Sequence, residues 1–184
     1  EAGFARTTVD QTFFNPTNRS LEGLYSFQVP HEATISRLAM YVDGTLMEGA
    51  VVDRSRGRDI YEGIVERRRD PALLEWMGGD AFKMRLFPLP GRSEKRVFLS
   101  YTELLSRSYD TTELSVPIPE FDAPTRKASV SIRLRGGAQT ELVSSSFALA
   151  ETVDGSDKVL TWEASEQVLG KDLLLRLREP VAEP

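Results

Sequence analysis

Apolar and polar residues alternate along most of this chain, and the alternation comes in short runs broken by turn residues. Leu21, Gly23, Tyr25, Phe27 and Val29 share one face of Leu21–Val29, a period of two that predicts a half-buried strand. Thr7–Phe14 alternates in the same way and ends at the turn cluster Asn15-Pro16-Thr17-Asn18. Ile35–Val42 and Thr45–Val52 flank Asp43-Gly44, which supplies the positive φ values of a two-residue hairpin turn. Ala81–Phe87 and Lys95–Tyr101 flank Pro88-Leu89-Pro90-Gly91 and read as a second hairpin-like pair. Glu113–Pro117, Ala128–Arg135, Thr140–Leu149, Lys158–Glu163 and Asp172–Arg178 complete the predicted strands.

One stretch breaks the period. Ile60, Tyr61, Ile64 and Val65 recur at helical spacing and predict an amphipathic helix over about residues 54–69. Asp53 or Ser55 can cap its start, and Asp70-Pro71 stops it because a residue before proline is pushed out of the α region. Gly57 and Gly63 each cost such a helix about 1 kcal/mol relative to alanine, so it depends on packing its apolar stripe against a sheet. The predicted fold is therefore mainly β: a sandwich of antiparallel strands with one helix packed on it. Residues 1–178 are expected to form one domain, and Glu179-Pro180-Val181-Ala182-Glu183-Pro184 a linker toward a following domain. Ser106–Asp110 is a weaker internal break.

Composition narrows the function more than the fold. The 184 residues, 40% hydrophobic and 28% charged, suit a soluble globular chain that can bury a core without disulfides. A net charge of −5 argues against a general polyanion binder. With no cysteine there is no disulfide, thiolate metal site or cysteine nucleophile. No apolar run approaches the roughly 20 residues of a membrane helix. The sequence starts at Glu1, not Met, and reads as part of something longer.

Candidate chemistry is sparse. His31 is the only histidine, so serine–histidine–carboxylate catalysis would have to use it; beside Glu32 and after Pro30 it reads as a solvated turn residue. Asp154-Gly155-Ser156-Asp157 invites a metal reading but lacks the run of oxygen ligands of a calcium loop, and a hairpin turn fits it better. Glu120 and Asp122 flank Phe121 and could meet a cation only if the fold brought further ligands. Gly78-Gly79 and Gly136-Gly137 lack the lysine of a phosphate loop. No catalytic, metal-binding or cofactor-binding residue is expected. Arg54, Arg56, Arg58, Arg67, Arg68 and Arg69 look like a basic grip, but Asp53, Asp59, Glu62, Glu66 and Asp70 nearly cancel them. Such i,i+4 and i,i+3 pairs describe a charged helix face, and nucleic acid is not an expected partner. Arg67, Arg68 and Arg69 at the helix end are the candidate interaction surface.

Laid in order, the segments resemble a vault protein inter-alpha-trypsin (VIT) domain. The resemblance rests on Thr8, Gln11, Phe13 and Asn15; on Leu21-Glu22, Tyr25, Phe27 and Pro30; and on Gly44 and Gly49. It continues through Ile60-Tyr61-Glu62, Asp70-Pro71-Ala72-Leu73-Leu74-Glu75, Phe82, Pro90-Gly91 and Tyr101. It covers about residues 1–105, while 110–178 are similar to the extra strands that precede a von Willebrand factor A domain. Phe27-Gln28-Val29-Pro30 departs from the family's frequent Phe-Pro-Leu-Pro. The form RDPALLE is similar to bacterial members.

The resemblance implies a non-catalytic structural or protein-interaction module of a larger protein, secreted or of the envelope in the favoured reading and otherwise part of a large intracellular assembly, packed against an A domain of the same polypeptide. It implies no cofactor. A glycan- or matrix-polymer-binding module is the alternative, motivated by Trp76 and Trp162. A hydrolase built on His31 or a carboxylate pair stands third.

Overall fold

In a computed structural model the described residues are 3–42, 44–53, 73–78, 80–120 and 123–180. They are mainly β, as predicted, with fifteen strands among them. The predicted helix at 54–69 lies outside the described residues. The strands fall into two units, Arg6–Glu103 and Glu1–Ala5 with Leu104–Pro184.

The Arg6–Glu103 unit holds two four-stranded sheets. One runs in the order β1 (Phe4–Phe14), β8 (Glu94–Leu104), β3 (Thr34–Val42), β4 (Thr45–Glu48). The other runs β2 (Leu21–Gln28), β7 (Ala81–Leu89), β6 (Leu73–Gly78), β5 (Ala50–Asp53). Their apolar faces meet: Phe13 of the first sheet lies 5.3 Å, ring to ring, from Tyr25 of the second. Leu38, Met40, Val97, Leu99 and Tyr101 come from one side, and Tyr25, Phe27, Met84, Leu86 and Leu89 from the other; all are buried. Each contributes about 1.5–3 kcal/mol relative to exposure, which is why the alternating period locks the register.

Leu21 is an exception. A bulge between Leu21 and Gly23 in the β2–β7 ladder turns Leu21 out of the predicted apolar face, and it is 40% exposed.

Two predicted pairings are corrected. The first hairpin forms, with Val42 opposite Thr45, but its second strand does not run on to Val52. Gly49, whose N–H donates to the Leu38 carbonyl, separates β4 from β5, and β5 joins the other sheet. There β5 pairs in parallel with β6, Ala50 opposite Leu73. A parallel pair needs a crossover of about a dozen residues or more, and 54–72 supply that length. Second, β7 and β8 do not pair with each other. Pro90–Ser93 carries the chain from one sheet to the other, the corner of a sandwich and not the turn of a hairpin.

The Leu104–Pro184 unit is a smaller sandwich. One sheet runs β12 (Glu141–Ser145), β15 (Leu173–Arg178), β10 (Thr111–Val116), β9 (Ser106–Ser108). The other runs β11 (Thr125–Leu134), β14 (Asp157–Gln167), β13 (Ala150–Asp154). Leu114, Leu173 and Leu175 form its core, with Val130, Ile132, Leu142, Phe147 and Leu149 packed against them. The predicted strand Thr140–Leu149 is shorter than expected, because β12 stops at Ser145 and 146–149 cross between the sheets.

Candidate functional site

A dense polar site in the Arg6–Glu103 unit surrounds Asn15, which is 1% exposed. Asn15 directly follows β1, where the alternating run gives way to turn residues. Its Nδ2 donates to the carbonyls of Arg19, Leu89 and Pro90 at 2.7, 2.9 and 3.0 Å. Its Oδ1 accepts from the Thr17 N–H and the Thr17 hydroxyl. Its backbone N–H donates to Ser93, and its carbonyl accepts from Arg92. One side chain therefore ties the turn after β1 to the corner between β7 and β8. A buried amide is tolerated only when satisfied like this. Gly91 sits in the same corner, where an added Cβ would lie 2.5 Å from the Asn18 carbonyl carbon. Arg92 takes a positive φ of 55° there and reaches Asn18 Oδ1 with its Nε.

Beside this clamp runs a row of rings. Phe13, Tyr25, Phe27 and Phe82 follow one another at 5.3, 5.4 and 5.7 Å between centroids. Phe27 and Phe82 are direct cross-strand partners. Such contacts are worth about 0.5–1.5 kcal/mol each beyond burial. Burial pushes the Tyr25 hydroxyl up to about 12, against the lowering effect of its hydrogen bond to the Gln11 side chain. Burial likewise pushes the Tyr101 hydroxyl up to about 12. Neither phenol can act as a base near neutral pH.

The resemblance residues thus divide cleanly. Phe13, Asn15, Tyr25, Phe27 and Phe82 meet in the clamp and the ring row. Pro30 opens the turn that follows, its carbonyl accepting from the Ala33 N–H. Tyr101 lies in the core, on β8. Leu73 and Leu74 lie on β6 opposite Arg85 and Met84. Tyr61, Arg67, Arg68 and Arg69 fall outside the described residues, as do Phe121 and Asp122.

Residues that could carry chemistry are engaged elsewhere. The His31 side chain is 86% exposed and meets the Asp80 carboxylate at 3.1 Å through Nδ1. That hydrogen bond and charge hold its pKa above the ordinary value. Asp154 and Asp157 are paired across the β13–β14 hairpin, with Gly155 at a φ of 63° in its turn. Arg133 bridges both carboxylates at 3.0 Å, so a guanidinium stands where a metal would have to sit. The Gly136 N–H and Arg133 hold Asp157 below its usual range. Trp162 sets its ring edge-on against Phe147, 4.7 Å between centroids.

Sequence reasoning missed Glu103. It is 7% exposed on the inner face of β8, and its Oε1 has no hydrogen-bond partner among the described residues. Burial raises its pKa. Its signal was faint: a lone carboxylate in phase with Val97, Leu99 and Tyr101.

The described residues and their polar site define a mainly β module with a structural clamp at Asn15. The model of the vault protein inter-alpha-trypsin domain matches residues 1–101. The chain belongs to this family. It is 26% identical over 116 residues to human inter-alpha-trypsin inhibitor heavy chain H6, a stretch covering 62% of this chain and 9% of that protein. Human heavy chain H4 is 24% identical over the same length and mouse heavy chain 4 is 25%, each covering 62% of this chain and 12% of theirs. The chain thus spans only about a tenth of the length of these relatives.

Proposed function

We propose that this chain is a non-catalytic interaction module that docks against a neighbouring domain of its own polypeptide, a von Willebrand factor A domain. The observation that carries the reading is the use made of the family residues. Phe13, Asn15, Tyr25, Phe27, Phe82 and Tyr101 build the clamp, the ring row and the core, and among the described residues they converge on no cleft with an acid, a base or a nucleophile. Family membership and the much greater length of the relatives support a multidomain parent. Arg67, Arg68 and Arg69 are the proposed contact surface. A secreted or cell-envelope setting, in a bacterial parent, belongs to the same proposal. The edge-on packing of Trp162 against Phe147 gives the glycan-binding alternative no added support.

The test reverses Arg67, Arg68 and Arg69 to glutamate and measures affinity for the separately expressed downstream domain by calorimetry. A loss of about tenfold or more, with unchanged melting of the module, is expected for charges at a docking rim. Unchanged affinity would leave these arginines solvated.

A further inference from the structure

The last strand of the Leu104–Pro184 unit ends beside one hairpin. Strands β9 and β10 are joined by a two-residue turn, Tyr109-Asp110, with Ser108 opposite Thr111. β10 in turn pairs with β15, which places Thr111 opposite Arg178. The next residue is bound to the turn itself: the Glu179 N–H donates to the Asp110 carbonyl at 3.1 Å. Ion pairs repeat the connection. Arg107 Nη2 meets Glu179 Oε2 at 3.0 Å, and Arg178 Nε meets Asp110 Oδ2 at 3.2 Å. Beyond Pro180 the sequence runs on by four positions, 181–184, which reach at most about 14 Å. A domain joined there starts close to this turn.

The turn presents a side chain that the module does not bury. Tyr109 is 97% exposed, the most exposed large hydrophobic side chain among the described residues. Exposure alone is ordinary for a single side chain. The backbone makes this one unusual. Tyr109 takes a φ of 56° at the first position of a two-residue turn, where glycine is favoured and a residue with a β-carbon is strained. The turn is held in that shape, since Arg107 Nε donates to the Tyr109 carbonyl and the Thr111 hydroxyl to the Ser108 carbonyl. A strained aromatic residue with no packing role inside the module points to a role outside it. Around it the charges are matched: Arg107 pairs with Glu179, and Arg178 with Asp110 and Glu141. An exposed aromatic ring within a polar rim is the anatomy of a binding hot spot.

We propose that Tyr109, at the tip of the β9–β10 hairpin, anchors the module to the domain that follows it in the same polypeptide by entering an apolar pocket of that domain. The anchor rests on the docking reading proposed above and adds to it a contact separate from Arg67, Arg68 and Arg69. The occupant follows from the path of the chain, because β15 delivers Glu179 to the turn. A domain tethered this close meets the tip at high effective concentration, so one ring with little buried area can hold it. The charges of the rim already pair with one another, so the ring and not charge carries the contact.

The experiment compares residues 1–184 with the longer chain that includes the downstream domain. Nitration by tetranitromethane, located by mass spectrometry, reads access to the Tyr109 ring, with the buried Tyr25 and Tyr101 as internal controls. Tyr109 is expected to react about tenfold more slowly, or slower still, in the longer chain. Tyr109→Gly is the companion variant. Glycine suits the turn, so residues 1–184 carrying it should melt close to the parent. In the longer chain the same variant should speed amide exchange across the docked face by about tenfold or more. Equal nitration in the two chains, with added amide protection on another face, would overturn the anchor and leave the docking reading standing. Equal nitration with no added protection anywhere would overturn both. Slow nitration with exchange untouched by Tyr109→Gly would make the ring a bystander and also overturn the proposal.

Discussion

Asn15 shows how much a single side chain can hold. Three carbonyls accept from its Nδ2 and two donors of Thr17 meet its Oδ1, all around a residue almost wholly buried. Asn15→Ala is expected to cost about 2–4 kcal/mol in chemical denaturation, because it strands buried partners. Asn15→Asp is nearly isosteric yet should cost at least as much above pH 5, since a carboxylate would face three carbonyl oxygens. An Asn15→Asp protein as stable as the parent would contradict the clamp. Glu103 makes the opposite case. Its folded-state pKa is raised by burial, so the folded protein binds the proton more tightly than the unfolded chain. Its stabilising contribution is then complete below the ordinary glutamate pKa and fades as pH rises through the raised value. Glu103→Gln should raise the melting temperature at pH 7 and leave it nearly unchanged at pH 4, read by calorimetry. His31 shares the sign, its contribution fading as pH rises, but on an 86% exposed side chain the effect is too small to compete.

Among the elements, legibility followed the period of two. Strand β2 was readable because Tyr25 and Phe27 alternate with Ser26 and Gln28, and the β3–β4 turn because Asp43-Gly44 favours it. What the pattern could not give was the choice of partner. β7 and β8 look like a hairpin, yet the corner at Pro90–Ser93 sends them to different sheets. A local pattern records which face is apolar and is silent about which sheet buries it. The parallel β5–β6 pair was missed one step earlier, because the pattern predicts no strand at Leu73–Gly78 and makes Ala50–Val52 the tail of the hairpin. Gly91 marks the corner and could have betrayed it. Gly91→Ala would drive a methyl into the Asn18 backbone and should destabilise the module by about 1–3 kcal/mol, measured by urea unfolding. The crossing at 146–149 rests on Ser146 in the same way. Ser146→Ala should cost about 1–2 kcal/mol, since it removes the hydroxyl between the Leu174 N–H and the Asp172 carbonyl.

For the whole molecule, the sequence resemblance and the family match agree over the first hundred or so residues, and the fold class follows from both. The candidate site was only half legible. Phe13, Asn15, Tyr25, Phe27 and Phe82 were singled out one by one along the chain, but the clamp and the ring row exist only once two sheets face each other. The surface ion pairs, such as Arg37 with Glu48 and Arg96 with Asp10, add little, each about 0–1 kcal/mol when solvated. Docking against a neighbour is tested by amide hydrogen exchange of residues 1–184 alone and within a longer chain that includes the downstream domain. Added protection confined to one face of the module, with a raised melting temperature, is the expected result. Identical exchange and identical melting in the two proteins would contradict the claim that this module works by packing against the domain that follows it.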